Sequence, residues 1–379
     1  MRKNVLLLGA SGSIGTQSLD IIEKYPDNFL LTAFSVGHKT VYIDAIMDRH
    51  PSVKYIYVID RGDAWAYSKK YPNVKFFHGK TGLAKITKKA NYDMCIDALV
   101  GFAGTEPAII ALKRNKILCL ANKEALVTGG TLINKLLESS KGKLYPIDSE
   151  HVALAKCLSK CRPEEVKRLL ITASGGALRN VDIDKLDEVK AEQALKHPTW
   201  KMGAKITIDC ATMMNKGFEI IEAYYLYHYP SSKIDVLMHD ESLVHSAVEL
   251  TDGSLLIDYG KPDMHGPIEY AMFEGKNKYE VRHIKSLSEL KECHFHEYDP
   301  NRYPCTELAK QALLDGASKM IALNAANEIA VNNYLNDKIS YLDIYKTVNN
   351  VVKKQRLIKN PSLMSIKRIN KHARKEAKL

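Results

Sequence analysis

The segment Gly9-Ala10-Ser11-Gly12-Ser13-Ile14-Gly15 follows the apolar run Val5–Leu8 directly and leads into an amphipathic stretch, Thr16–Lys24. A strand that breaks at glycine and restarts as a helix fits few folds. The glycines permit a tight turn and close backbone approach, and a helix N-terminus offers unpaired amides and partial positive charge to a pyrophosphate. The spacing is G-x-x-G-x-x-G, not G-x-G-x-x-G, so the glycines alone are a weak signal; their place after the first strand of an alternating pattern gives them weight. Further apolar runs at Leu31–Val36, Tyr55–Ile59, Met94–Ile96, Ile117–Leu120 and Leu144–Tyr145 are separated by helical stretches such as Glu106–Arg114. That alternation predicts a mostly parallel sheet covered on both faces.

The 379 residues exceed one ordinary core. Residues 149–275 mix helical stretches with candidate strands at Arg168–Thr172, Lys205–Ile208, Ile234–Met238 and Leu255–Asp258. The polar segment 276–300, broken at Tyr298-Asp299-Pro300, reads as a linker, and 301–379 as a small helical domain with helices over Glu307–Leu314, Ala322–Leu335 and Ile339–Lys354. The expected fold class is α/β: a Rossmann-like nucleotide domain over 1–148, a central α+β domain over 149–275, and the helical end.

Net charge is +11, with cations densest at Lys367, Arg368, Lys371, Arg374, Lys375 and Lys378. With no zinc-finger spacing or RNA-binding aromatic motif, this balance suits small anionic ligands and a solvated tail better than nucleic acid. Seven scattered cysteines fit a reducing compartment. Cys157 and Cys161 have no second pair, and Cys293 with His294 and His296 lacks the fourth ligand of a zinc site. The first apolar run is too short for a signal peptide, and no run reaches the ~18 residues of a membrane span. The expectation is a cytoplasmic protein with neither membrane nor nucleic-acid partner.

The second strand ends Val36-Gly37-His38-Lys39, with a lysine where an NAD enzyme usually carries an acid. Lys39 is either a solvated loop residue or a partner for a 2′-phosphate, and the second reading predicts NADPH. Asp148-Ser149-Glu150 follows the last strand of the first half. In extended backbone its two acids would point the same way and converge on a hard cation such as Mg²⁺ or Mn²⁺. Asn215, Lys216 and Glu219 form a second polar group; if Asn215 starts a helix, Asn215 and Glu219 share a face. Ser174-Gly175-Gly176, after a strand, can present a hydroxyl and amides to a phosphate, or can be an ordinary turn.

Taken together these segments resemble the 1-deoxy-D-xylulose 5-phosphate reductoisomerase family. The matching stretches are Gly9–Gly15, Leu120–Val127, Pro146–His151, Thr172–Gly176, His197–Gly203, Ala211–Glu219, Tyr303–Cys305 and Ala322–Glu328. The resemblance implies an NADPH- and Mg²⁺- or Mn²⁺-dependent enzyme of non-mevalonate isoprenoid synthesis, usually a homodimer, with dimerisation in the central domain. It implies that Ser11, Gly12, Ser13, Ile14, Gly37, His38, Lys39, Asn122, Glu124 and Gly203 hold the cofactor. Asp148, Glu150 and Glu219 would be the metal ligands. Lys123, Ser149 and Glu150 would contact the sugar, with Ser174, His197, Asn215 and Lys216 on its phosphate side. Lys123, Glu150 and His197 carry the catalytic expectation, and His197–Gly203 resembles a lid closed by Trp200. Cys210 stands where the family usually has serine, which puts one phosphate contact in doubt. The competing readings are another NADPH oxidoreductase of a small phosphorylated or acidic carbonyl compound, which needs no three-acid site, and a basic nucleic-acid-binding protein.

Overall fold

The computed structural model describes residues 1–276 and 292–378. In chain order the elements are β1 (Lys3–Leu8), α1 (Ser13–Lys24), β2 (Phe29–Gly37), α2 (Tyr42–Arg49), β3 (Tyr55–Val58), α3 (Arg61–Lys70), β4 (Lys75–Phe77), α4 (Gly82–Lys89), β5 (Met94–Asp97), α5 (Thr105–Lys113), β6 (Ile117–Leu120), α6 (Lys123–Ser139) and β7 (Lys143–Pro146). The second half continues with α7 (Ser149–Leu158), β8 (Val166–Ala173), α8 (Ala191–Ala194), α9 (Ala204–Ala211), α10 (Met214–Tyr227), β9 (Ile234–His239), β10 (Val244–Leu250), β11 (Leu255–Tyr259) and α11 (His265–Met272). It ends with β12 (Phe295–Glu297), α12 (Pro304–Asp315), α13 (Ala317–Leu335), α14 (Tyr341–Lys354) and α15 (Leu363–Glu376).

The chain forms two compact units. One comprises Met1–Ala125, Ile133–Asp148 and the described residues from Met264 to 276; the other comprises Leu126–Leu132, Ser149–Asp263 and the described residues from 292 onward.

The first unit holds a seven-stranded sheet in the order β4-β3-β2-β1-β5-β6-β7, with every neighbour parallel. Its central strands read as continuous apolar runs because helices cover both faces, and Val5 to Leu8 are wholly buried. The strand order reverses between β1 and β5. Leu8 pairs with Asp97, Asp97 with Leu120, and Leu120 with Pro146. The residues following each strand (Gly9, Ala98, Ala121 and Ile147) therefore share one edge of the sheet. In open α/β sheets ligands bind outside the carboxyl ends, at such a reversal.

The second unit is built on a five-stranded mixed sheet, β11-β10-β8-β9-β12. Strands β8 and β9 run parallel and the other neighbours antiparallel. Its last part, α12 to α15, is all helical.

Two local expectations fail. Lys205–Ile208 belongs to α9 and is not a strand; its β-branched residues Ile206, Thr207 and Ile208 suit a strand locally, but a helix lets Lys205 reach Asp209 at 2.6 Å. The extended reading of Asp148–Glu150 also fails, because Ser149 begins α7 and Glu150 lies in its first turn. Within the segment read as a linker, Phe295–Glu297 pair with β9, and residues 277–291 lie outside the described residues. The basic tail is the ordered helix α15, whose Ile366, Ile369 and Ala373 are buried.

Candidate active site

The carboxyl edge of the parallel sheet is made mainly of backbone. Gly9 has φ +89°, and a Cβ there would lie 2.5 Å from Ala98 O; at Gly15 it would lie 2.1 Å from Gly9 O. Only glycine tolerates either position. The N-cap of α1 is Gly12, with no side-chain cap. The first amides of this helix are thus left for an anion, and its dipole favours one. Ser11 Oγ donates to Val36 O at 3.2 Å, tying the loop to β2. His38 and Lys39 are exposed just beyond Gly37, which has φ +59°. At the same edge Asn122 caps α6: its Oδ1 accepts from Ala125 N at 2.8 Å, and its Nδ2 donates to Leu99 O and Gly101 O at 2.8 and 2.9 Å. Its carboxamide is therefore engaged in holding turns, a role the sequence did not disclose. Glu124 is buried in the first turn of α6.

Lys123 Nζ meets Asp148 Oδ2 at 2.6 Å, both side chains nearly buried. Lys216 Nζ pairs with Glu150 Oε1 and with Glu219 Oε2, the latter at 2.6 Å. Asn215 Nδ2 donates to Glu219 Oε1 at 2.5 Å, so Asn215 and Glu219 share a face of α10. Ser149 Oγ donates to Glu150 Oε2 at 2.6 Å. Ligand atoms of Asp148, Glu150 and Glu219 all lie within 4.8 Å of one another. Oxygens opposite each other on an octahedral Mg²⁺ with bonds of about 2.1 Å are about 4.2 Å apart, so three hard donors no more than 4.8 Å apart need only a small inward shift to share such a cation. Cys293, His294 and His296 form no comparable group among the described residues; His294 pairs with Glu241 at 2.6 Å and His296 with Asp240 at 3.3 Å.

Helix α10 buries Asn215, Lys216, Glu219 and Glu222. Burying charge costs several kcal/mol per ion unless it is paired, and a helix that buries three charged side chains and an amide is built for more than packing. His151 on α7 lies 2.9 Å from Glu222, both fully buried. That pair joins the two helices that carry Glu150 and Glu219. Sequence reading missed it; its only trace is a second acid one helical turn after Glu219.

Of the residues expected on the phosphate side, Ser174, His197 and Cys210 come together around the turn after β8. Gly175 and Gly176 have φ +76° and +68°, and a Cβ on Gly176 would lie 2.7 Å from Ala211 Cα and 2.8 Å from Cys210 C. The turn thus sits against the end of α9, beside Cys210. His197 Nε2 lies 3.2 Å from Ser174 Oγ, while His197 Nδ1 accepts from Thr199 N and Trp200 N at 3.2 and 3.0 Å. Two donors at Nδ1 place the ring proton on Nε2, so the imidazole donates toward Ser174. Burial, then the nearby Lys216 and Arg179, push the His197 pKa down to about 4; the ring is neutral at pH 7. Arg179 is a second missed residue. Its Nη1 donates to Ser174 O at 3.2 Å and Asp240 O at 3.1 Å. Trp200 packs against His245 with ring centroids 6.3 Å apart. Gly203 is exposed and caps α9.

The helical end buttresses this region. Thr306 Oγ1 donates to Met213 O at 2.8 Å, Tyr341 Oη to Ala211 O at 2.7 Å, and Asn327 Nδ2 to Asp209 Oδ1 at 2.8 Å. Met213, the N-cap of α10, has φ +58°, a conformation a non-glycine residue holds only when its surroundings impose it. Gly217 lets α10 approach α12, since a Cβ there would lie 2.5 Å from Ala309 Cβ.

A glycine edge at the reversal of strand order and a three-carboxylate group define a nucleotide-dependent oxidoreductase with a divalent-metal site. Family models for 1-deoxy-D-xylulose 5-phosphate reductoisomerase match residues 5–130, and those for its C-terminal domains match 144–227 and 259–376. The chain belongs to that family. The reductoisomerase of an Exiguobacterium species is 39% identical over 99% of this chain and 97% of its own length, and that of Bacillus cereus is 39% identical over 98% of both. A solved reductoisomerase in complex with NADPH, fosmidomycin and magnesium superposes with a TM-score of 0.91 at 32% identity, over 100% of this chain and 97% of that one. The Zymomonas mobilis enzyme with NADPH gives 0.89 at 33%, over 100% and 98%.

Proposed function

We propose that this chain converts 1-deoxy-D-xylulose 5-phosphate to 2-C-methyl-D-erythritol 4-phosphate, with NADPH at the carboxyl edge and Mg²⁺ or Mn²⁺ at Asp148, Glu150 and Glu219. The observation that carries the metal assignment is the spacing of the three carboxylates within 4.8 Å. The uncapped start of α1 and the glycines that admit no Cβ support the cofactor assignment to Ser11, Gly12, Ser13 and Ile14. His38 and Lys39 are exposed for the 2′-phosphate, with Gly37 turning the chain toward them. Asn122, Glu124 and Gly203 complete that side, Asn122 through backbone because its side chain is engaged.

When bound, the cation polarises the ketose carbonyl and the cofactor supplies hydride. The protein's own part is to bind, orient and exclude water. Lys123, Ser149 and Glu150 face the sugar hydroxyls; Lys123 and Lys216 also offset the charge of the three acids. The neutral His197, with Ser174, Cys210, Asn215 and Lys216, holds the phosphate end, and remote phosphate binding helps orient the reacting carbons. The lid His197–Gly203, with Trp200 over the sugar, keeps water from a reactive aldehyde.

The edge strand β11 exposes Leu255 and Ile257, an apolar edge of the kind a second copy covers, and this supports a homodimer. No described helix is long and apolar enough to cross a membrane; the reading is of a cytoplasmic enzyme acting on a small sugar phosphate. The test is NADPH oxidation followed spectrophotometrically with 1-deoxy-D-xylulose 5-phosphate. Turnover that stops with chelator and returns with Mg²⁺ or Mn²⁺ is expected; turnover indifferent to chelator removes the metal site.

A further inference from the structure

Asp97 ends β5 at the reversal of the parallel sheet, in register with Leu8 just before the glycine loop. It is fully buried. Its Oδ1 accepts from Leu99 N at 3.2 Å, and its buried Oδ2 has no hydrogen-bond partner among the described residues. Its main-chain oxygen accepts from Ala121 N and Asn122 N at 3.0 and 3.2 Å. A Cβ on Gly104 would lie 2.6 and 2.8 Å from the carboxyl oxygens and 2.9 Å from Asn122 Cγ. The Asp97 carboxyl and the Asn122 carboxamide thus pack together beneath the turn Ala98–Gly104, and Ala98 O touches Gly9. The mechanism above gives Asp97 no task.

A buried carboxylate with one amide donor and no cation is unfavourable as an anion. The groups facing it make this worse or leave it unchanged. Glu124 on α6 repels it, and Cys95 on its own strand is a buried thiol. Leu8 of β1, the glycine loop, Leu120 of β6 and the turn Gly101–Gly104 offer nothing titratable. Burial first, then Glu124, push the carboxyl up to about 7.

We propose that Asp97 is a positioning residue for the cofactor edge: as the neutral acid it packs the Ala98–Gly104 turn and Asn122 against the glycine loop, and as the carboxylate it loosens them. The inference rests on the assignment of NADPH to this edge. A polyanionic cofactor beside the turn opposes ionisation, so the bound state holds the Asp97 proton more tightly than the free state. Affinity then falls as pH rises through about 7.

The test is fluorescence titration of NADPH onto wild-type and Asp97→Asn protein from pH 6 to 9, with KM for NADPH and kcat measured in parallel. If bound and free states differ by one pKa unit, the wild-type Kd weakens about tenfold across the range relative to Asp97→Asn, whose neutral amide cannot ionise. KM for NADPH should follow Kd, and kcat should move little. Superimposable profiles for the two proteins overturn the proposal. If Asp97→Asn does not fold, infrared difference spectra of the wild-type chain decide: a carboxylic-acid C=O band lost on raising pH and restored by NADPH supports it, and its absence at pH 6 overturns it. A wild-type chain that binds no NADPH overturns the cofactor assignment itself, and this inference with it.

Discussion

At the carboxyl edge of the parallel sheet a ligand meets backbone, whereas at the acid cluster it meets side chains. The glycine loop occupies seven consecutive residues between a strand and a helix, and its shape follows from residues that admit no Cβ. The acid cluster draws on α7, α10 and the loop before α7, and α9 with the start of α10 is held by hydrogen bonds from Tyr341, Thr306 and Asn327. A backbone site tolerates substitutions nearby as long as the glycines remain. A side-chain site fails when one member is removed, because the charge left behind is buried and unpaired. The contrast teaches where each half is vulnerable.

The hardest test of that contrast is Glu219→Gln. It should lower metal-supported turnover by about a thousandfold, since a metal contributes several kcal/mol of charge stabilisation and each 1.36 kcal/mol is tenfold. NADPH affinity should change less than about twofold. Comparable loss of both would mean that the two regions are not separable. Glu222→Gln removes the partner of His151 without touching the three acids; the Mg²⁺ concentration for half-activation should rise by about tenfold, as for outer-shell partners of metal ligands. An unchanged Mg²⁺ requirement would reduce that pair to plain core structure.

From the other side, Lys39→Glu should weaken NADPH by about tenfold or more and NADH little, because one charge-assisted hydrogen bond contributes ~1.5–3 kcal/mol. Equal loss for both cofactors would leave Lys39 a solvated loop residue. Cys210→Ser should preserve kcat and lower KM for the sugar phosphate by at most about threefold, within the range of one neutral hydrogen bond; a collapse of activity would give the thiol another role. The pH response sharpens the comparison further. His197 is held near pKa 4 when folded but titrates near its ordinary value when unfolded. Between those values the unfolded chain binds the extra proton, so this residue's effect is to lower stability as pH falls from about 6.5 toward 4. His197→Gln should flatten that part of an acid-denaturation curve followed by circular dichroism. An identical curve would mean that the ring is charged in the fold.

Much of the first unit was legible because its signals are local. Strand runs such as Val5–Leu8 are apolar throughout, since both faces are covered, and glycines mark the turn that follows. β4 was missed: Lys75–Phe77 is three residues long, with Lys75 exposed, too short to show a period. The second unit was less legible. Ile206-Thr207-Ile208 carry strand-forming side chains, yet tertiary contacts hold them in α9. The pairing of Asp148 with Glu150 was expected from the alternation of an extended chain; the acids do come together, but through the start of α7. Lys216 was expected at the phosphate, and the structure shows it pairing Glu150 with Glu219. Arg179 and the His151–Glu222 pair gave no motif to notice.

The sequence by itself determined the strand–helix order, the glycine loop and the residue types available for chemistry, because these depend on neighbours a few positions apart. Tertiary structure alone decided that Glu219 meets acids some seventy positions earlier, that His197 is neutral with its proton on Nε2, and that the Asn122 side chain serves turns. Those outcomes depend on burial and on partners brought in from distant segments, and no local pattern encodes the dielectric or the donor that a side chain finds after the chain has closed.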